Sequence, residues 1–331
     1  MRTTPAPVPA GSPATPATPD TPTDVAVGVI GAGRVGAVLG AILDATAGFT
    51  LAAVSGETTT TRERIADLLP GTAVRKPTDV ARAADLLLLT VPDDRLAGVV
   101  ESLVGSGAIR AGQYVVHTSG KHGLAVLQPA ADLGAHVLAL HPAMTFTGTA
   151  VDAERLPGCV FGVTAATDDR AFADHLVAVL GGRPVRVAEE QRALYHAGLA
   201  HGANHLVTLV AQAMDLLTAS GVADPAGTLR PLLTAALDNA LADGDAALTG
   251  PVARGDRRTV RAHLAQITEH APSVLDTYVA LARATVDRTA ADGRLAGGRV
   301  AALHETLSAA LPDAEPLAPV DDAAETERTL L

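Results

Sequence analysis

Residues Val25 to Gly36 read VAVGVIGAGRVG, and this stretch decides the fold. Val25, Val27, Val29 and Ile30 give it the length and β-branched content of a buried strand. The run closes on Gly31-Ala32-Gly33-Arg34-Val35-Gly36, a G-x-G-x-x-G pattern. A helical period of Val35, Val38, Leu39, Ile42 and Leu43 follows at once. Strand, glycine turn and helix in that order are the context a dinucleotide site needs. Gly31 permits the tight turn, Gly33 lets backbone approach a pyrophosphate, and Gly36 lets helix pack on strand. The helix N-terminus then meets the phosphate charge. Gly31, Ala32, Gly33, Arg34, Val35 and Gly36 are therefore the expected cofactor-binding segment.

Outward from this unit, β-rich runs alternate with helix-length segments. The runs are Val25–Ile30, Leu51–Val54, Leu86–Val91, Tyr114–His117, His136–Leu140, Val160–Val163 and Pro184–Val187; the segments include Val35–Thr46, Arg62–Leu69 and Asp168–Leu180. Such alternation predicts an α/β class, a Rossmann-type doubly wound and mostly parallel sheet. After Ala188 the strand signals stop. Helix-period segments follow at Glu189–Ser220, Pro225–Ala242, Asp256–His270, Ser273–Ala291 and Arg299–Ala310. The expected domains are a dinucleotide-binding domain over 25–187 and an all-helical substrate and dimerisation domain over 188–311. Residues 1–24, rich in Pro, Thr and Ala, and the acidic 312–331 lack apolar period and are expected to be disordered tails.

Composition excludes several function classes. A chain with 48% hydrophobic and 18% charged residues can bury a sizeable core. A net charge of -11 argues against a nucleic-acid backbone binder, and 2% aromatics with no Trp against a base-stacking platform. No apolar stretch reaches the ~20 residues that span a bilayer. No apolar region follows Arg2, so no secretory signal is expected. The lone Cys159 excludes an internal disulfide and fits a reducing compartment, so a soluble, cytoplasmic protein is expected. Only Lys76 and Lys121 among 25 basic residues are lysines. Arginine does not readily release a proton near neutral pH, so a lysine acid has two candidates at most.

The end of the second strand bears on which dinucleotide binds. There the chain reads AVSGETTTTRER, with Ser55 at the tip instead of the carboxylate that would hold a ribose hydroxyl. Ser55, Thr58, Arg62 and Arg64 offer hydroxyls and guanidinium forks suited to a phosphate, which favours NADP over NAD. The alternative has Glu57 on an NAD ribose and the arginines as solvated helix charges. Val91 and Pro92, at a later strand end, are expected beside the cofactor, with Asp93 and Asp94 capping the helix that follows.

Two further strand ends are polar, HTSGKH from His117 and LHP through His141. His117, Ser119, Lys121 and His141 are candidates for the nicotinamide side, because open α/β sheets bind ligands at strand carboxyl ends. The alternative is that each histidine satisfies backbone groups at a buried turn. On the helix that opens the second half, His196, Ala200 and Asn204 recur at four-residue spacing and would share a face. His201 and His205 share another, but no Glu accompanies them as in metal-binding H-E-x-x-H, so no metal is expected. In the segment ALTGPVARGDRRTV, Thr249, Arg254 and Asp256 are candidate substrate residues, Arg254 as a bidentate carboxylate ligand. Asp256 also suits the N-cap of the next helix.

HTSG, LHPAMTF, YHAGLAHGANHLVTL and ALTGPVARGDRRTVRAHL resemble Rossmann-like oxidoreductases with an uncharacterised C-terminal helical domain. The resemblance spans about residues 25 to 290. That family is similar in plan to ketopantoate reductase, pyrroline-5-carboxylate reductase and the β-hydroxyacid dehydrogenases, with a helical domain like that of 6-phosphogluconate dehydrogenase. The resemblance implies an NADP-dependent reductase of a small carboxylate, with ketopantoate of pantothenate synthesis leading. A cyclic imine, deazaflavin-linked NADP chemistry and a non-catalytic NADP sensor are the alternatives. It also implies a homodimer through the helical domain. Relatives of the common type carry a Lys one turn before an Asn. Here Asn204 matches the Asn, but the Lys position is Ala200. His196 and Lys121 are the replacement acids, with Asn204 polarising the carbonyl.

Overall fold

A computed structural model describes residues 25–311, so the tails expected at 1–24 and 312–331 lie outside the described residues. The described residues form two compact units that part between Gly202 and Ala203.

The first unit is built on a seven-stranded sheet of order β2-β1-β3-β4-β5-β6-β7. The strands are β1 (Val25–Ile30), β2 (Phe49–Ser55), β3 (Leu86–Leu89), β4 (Tyr114–His117), β5 (His136–Pro142), β6 (Val160–Ala165) and β7 (Arg183–Arg186). β1 to β5 run parallel, β6 is antiparallel to β5, and β7 is parallel to β6. β3, the sequence LLLL, is buried at every position, as a central strand covered on both faces must be. A single parallel bridge, Val54 to Val74, adds a rudimentary strand outside β2. With it the order becomes that of the doubly wound dinucleotide fold, whose switch point lies between β1 and β3.

Helices cover both faces of this sheet. α1 (Arg34–Asp44) and α7 (Arg170–Val179) pack one core through Val38, Leu39, Leu43, Leu176 and Val177. On the other face lie α3 (Pro77–Ala83) and α4 (Asp93–Gly105), contributing Val80, Ala81, Leu96, Val100 and Leu103. The shorter α2 (Thr59–Leu68), α5 (Gln128–Ala131) and α6 (Val151–Arg155) complete the connections. α8 (Arg192–Leu199) also belongs to this unit. A boundary at 187/188 follows the last strand, but the units part fifteen residues later. The reason is packing: Arg192 is fully buried, and Tyr195 lies against Gly162 of β6.

The second unit holds α9 (His205–Ala219), α10 (Pro225–Asp243), α11 (Gly250–Ala253), α12 (Arg257–His270), α13 (Leu275–Ala291) and α14 (Gly297–Ser308). Val260, Leu264 and Ile267 of α12, Val279 and Val286 of α13, and Leu303 and Leu307 of α14 form its core. α9 buries no residue and α10 only Leu229, although both are largely apolar. No described helix is long and apolar enough to cross a membrane.

Between α8 and α9 lies a π turn, Ala200–Asn204. Its wider turn breaks the 3.6-residue period. The expectation that Asn204 shares the face of His196 therefore does not carry through it.

Candidate functional site

The glycine turn follows from β1. Gly31 has φ of +85°, a left-handed conformation, and a Cβ there would lie 2.8 Å from Cγ1 of Val91. A Cβ on Gly36 would overlap Thr90 Oγ1 and come within 2.8 Å of the Gly31 carbonyl oxygen. At Gly33 the nearest atom to such a Cβ is 3.7 Å away, so this position opens to space. α1 starts there with no side-chain cap and no acid in its first turn. Unspent amides, positive dipole and backbone without a side chain together fit a pyrophosphate.

Around this turn, Ala32 is buried and its N–H donates to the Ser55 carbonyl at 2.9 Å, while Arg34 is exposed and Val35 half-buried. Ser55 is 5% exposed, and its Oγ accepts from the Gly31 N–H at 3.3 Å. The hydroxyl at the β2 tip thus braces the glycine turn. Thr58 caps α2, accepting from the Thr61 N–H at 3.1 Å. Arg64 Nε donates to the Gly148 carbonyl, the Arg34 side chain lies over the side-chain position of Gly148, and Arg62 is exposed. Val91 touches the glycine turn. Pro92 is the N-cap of α4, with Asp93 and Asp94 in its first turn and no side-chain cap hydrogen bond, so the acids favour the dipole without capping.

The loop after β4 is clamped at four points. His117 is fully buried; its Nδ1 accepts from the Ser119 N–H at 3.1 Å and its Nε2 lies 2.7 Å from the Gly123 carbonyl. This network assigns the hydrogen to Nε2, and burial holds the imidazole down at about 4. His117 is a neutral brace. Glu189 accepts from the N–H groups of Leu124 (2.6 Å) and Ala125 (3.0 Å). Ser119 Oγ accepts from the His122 N–H, and the Ser119 carbonyl accepts from Arg192. Lys121, on the same loop, is exposed.

Clamping brings three rings together. A Cβ on Gly120 would overlap the His196 ring and lie 3.0 Å from His141 Nε2. The His141 and His196 rings meet edge to face at 5.8 Å, and Tyr195 Oη is 3.2 Å from His141 Nδ1. Burial, reinforced by the Arg192 charge, pushes His141 down to about 4. Burial also raises the Tyr195 phenol, outweighing the opposing pull of Arg192. Both are uncharged near neutral pH. Beneath them Arg192 donates to the Gly162 carbonyl (3.3 Å) and Thr164 Oγ1 (3.2 Å) as well as to Ser119, while its Nε has no partner. Asp93 acts electrostatically on His117, His141 and Arg192. The cluster is therefore within charge reach of the β3–α4 turn that abuts Gly31.

The sequence candidates Ser119, His141 and His196 thus come together. Asn204, Thr249, Arg254 and Asp256 belong to the second unit. Asn204 is exposed, ending the π turn. Thr249 is the exposed N-cap residue of α11, and exposed Arg254 has its carbonyl on the Arg299 guanidinium. Asp256 caps α12, taking the Thr259 N–H (3.1 Å) and hydroxyl (2.7 Å). Those bonds hold its carboxyl below the usual range. Among the described residues no group of three His, Cys, Asp or Glu is arranged to hold a metal. Arg192 and Tyr195 escaped sequence reasoning. Their signal is the i, i+3, i+4 spacing of Arg192, Tyr195 and His196 on one helix face.

Residues 13–142 match the family described as a Rossmann-like domain, and residues 159–285 a domain of unknown function, DUF2520. No curated protein matches the chain by sequence. Among solved structures, a Bacteroides fragilis protein assigned as an NADP oxidoreductase is similar, with a TM-score of 0.68 at 23% identity, over 80% of this chain and 98% of that one. The Thermotoga maritima protein TM1727 has a TM-score of 0.60 at 18% identity, over 81% and 99%. An imine reductase from Myxococcus stipitatus in complex with NADP+ has a TM-score of 0.60 at 17% identity, over 80% and 94%. These are likenesses of fold.

Proposed function

Because the chain joins a Rossmann-like domain to a DUF2520 domain, we propose that it is a nicotinamide-dependent reductase with NADPH as the preferred cofactor. One observation carries this reading. The His141–Tyr195–His196 cluster stands at the carboxyl end of β5, on the sheet edge that also carries the open glycine turn. Bound nicotinamide would supply hydride, and the cluster would supply the proton that the reduced double bond requires. Gly31 to Gly36 would hold the pyrophosphate. Arg34 and exposed Arg62, with no carboxylate at the β2 tip, favour a 2′-phosphate.

The first substrate class is a small 2-oxo acid, ketopantoate foremost. A cyclic imine such as pyrroline-5-carboxylate is the second, favoured by the fold likeness to an imine reductase and by the ALTGP segment. The deciding experiment is titration of the full chain with NADPH and NADH by fluorescence, then an absorbance assay with each substrate. Tight NADPH binding with substrate-dependent oxidation is expected. Binding without turnover on either compound would overturn the substrate assignment in favour of a sensor, and no binding at all would overturn the reading.

The chain is also proposed to act as a homodimer through its helical unit. An apolar helix such as α9 needs cover. Yet Val207 is 71% exposed, and Leu241 of α10 79%. A face this poor in charge suits a second copy of itself, as a two-fold interface requires. Sedimentation at micromolar concentration should give twice the 33.4 kDa chain mass. A monomer would sink the proposal.

A further inference from the structure

Arg192 is a fully buried cationic side chain of the first unit, and the proton-donating cluster of His141, Tyr195 and His196 gives it no task. Its donors go to two carbonyls and a hydroxyl, its Nε to nothing. Among the described residues no carboxylate lies within 4.0 Å of it. Glu189, the nearest acid in sequence, is committed to the Leu124 and Ala125 amides. A buried cation normally demands a paired anion. One held without a carboxylate in contact, acting on the Tyr195 phenol and on the His141 and His117 imidazoles, is a source of fixed positive potential at the site.

We propose that Arg192 is a positioning residue for this site, acting through Tyr195 and His141: its buried charge, with no carboxylate in contact, makes the Tyr195 phenol the proton donor and holds His141 as its neutral partner. The proposal rests on the reductase reading for where the proton goes. As the substrate carbon receives hydride, its oxygen or nitrogen takes the proton from Tyr195 Oη. The phenolate left behind is stabilised by Arg192. It regains a proton from His141 Nδ1–H while His141 Nε2 takes one from solvent through His196. The resulting Nε2–H tautomer returns to Nδ1–H by proton exchange with solvent, so the site is restored with His141 neutral and one solvent proton is consumed.

The groups that bear on this chain are few. His141 feels Arg192, His196, His117 and Asp93 besides its Tyr195 contact. Tyr195 feels Arg192 and Cys159. Arg192 feels Tyr195, Glu189 and Asp93.

The test is titration of the histidines by NMR in the full chain, without cofactor or substrate. In Arg192→Met the His141 midpoint should rise by about half a pH unit or more, and in Arg192→Lys, which restores the charge, it should return. An unchanged His141 midpoint in a folded Arg192→Met protein would overturn the proposal. Should neither variant fold, Tyr195→Phe removes one hydroxyl and keeps the ring on His141. It should lower kcat by ~10²-fold or more with KM and NADPH affinity unchanged. Full activity in Tyr195→Phe also overturns the proposal. The titration needs no turnover, so its failure is distinct from failure of the reductase reading.

Discussion

Gly120 and His196 are in such close contact that a single methyl group at Gly120 would displace the imidazole. The contact joins a loop after β4 to a helix more than seventy residues on. The loop is braced internally by His117, and it is tied to the helix side at other points, by Glu189 on the Leu124 and Ala125 amides and by Arg192 on the Ser119 carbonyl. Gly120→Ala should therefore turn His196 out of the cluster without unfolding the chain. Turnover is expected to fall by ~10-fold or more while NADPH affinity stays within about twofold. Steady-state kinetics beside a fluorescence titration separates the two, and a parallel loss of both would place Gly120 in the cofactor site instead.

The three glycines of the turn should respond differently. Gly33→Ala meets nothing within the protein closer than 3.7 Å, so the melting temperature should hold while NADPH affinity falls by about tenfold or more. Gly36→Ala meets Thr90 and the Gly31 carbonyl and should cost ~1–3 kcal/mol of stability besides. Thermal melts with and without NADPH resolve the contrast. Equal destabilisation by both changes would contradict the open space at Gly33.

Lys121 is exposed and His196 is in the ring cluster. Lys121→Ala is expected to keep activity within about twofold, and His196→Ala to lose ~10-fold or more as proton resupply is cut. If Lys121→Ala instead abolishes turnover, the proton comes from the loop.

Stability should fall on acidification. His117 and His141 both have folded-state values lowered from 6.5 to about 4 by burial. Between these limits the unfolded chain binds protons that the folded chain refuses. The stabilisation is complete above about pH 6.5 and is lost as pH falls to about 4, amounting to ~3 kcal/mol for each histidine at ~1.4 kcal/mol per unit. Urea melts from pH 7 to 4 measure it. His117→Gln should flatten the slope, and an unaltered slope would show that other groups carry it.

Exposed apolar residues predict the last behaviour. Val207→Glu with Leu241→Glu should leave the helical core of Val260, Leu264 and Leu303 intact, since neither residue belongs to it. The pair of changes should convert a dimer to a monomer in sedimentation, with unchanged helicity by circular dichroism. A dimer that survives both charges lies on another surface.

What could be read from the amino acids alone was whatever depends on neighbours in the chain. The run Val25–Ile30, the glycine turn and α1 interact within a few residues of one another, so period and glycine spacing sufficed to place them. The helices of the second half were legible from the same local periodicity. The roles at the site were not. Ser55 braces Gly31 across 24 residues, and Arg192 reaches the Ser119 carbonyl across 73. His117 is a buried brace, while His141, with the same strand-end signal, lies in the ring cluster. The π turn shifts Asn204 off the face that a regular helix would give it. Only the packed structure decides such matters, because burial and partners set the charge and hydrogen bonds of a polar side chain, and both arrive from residues distant in sequence.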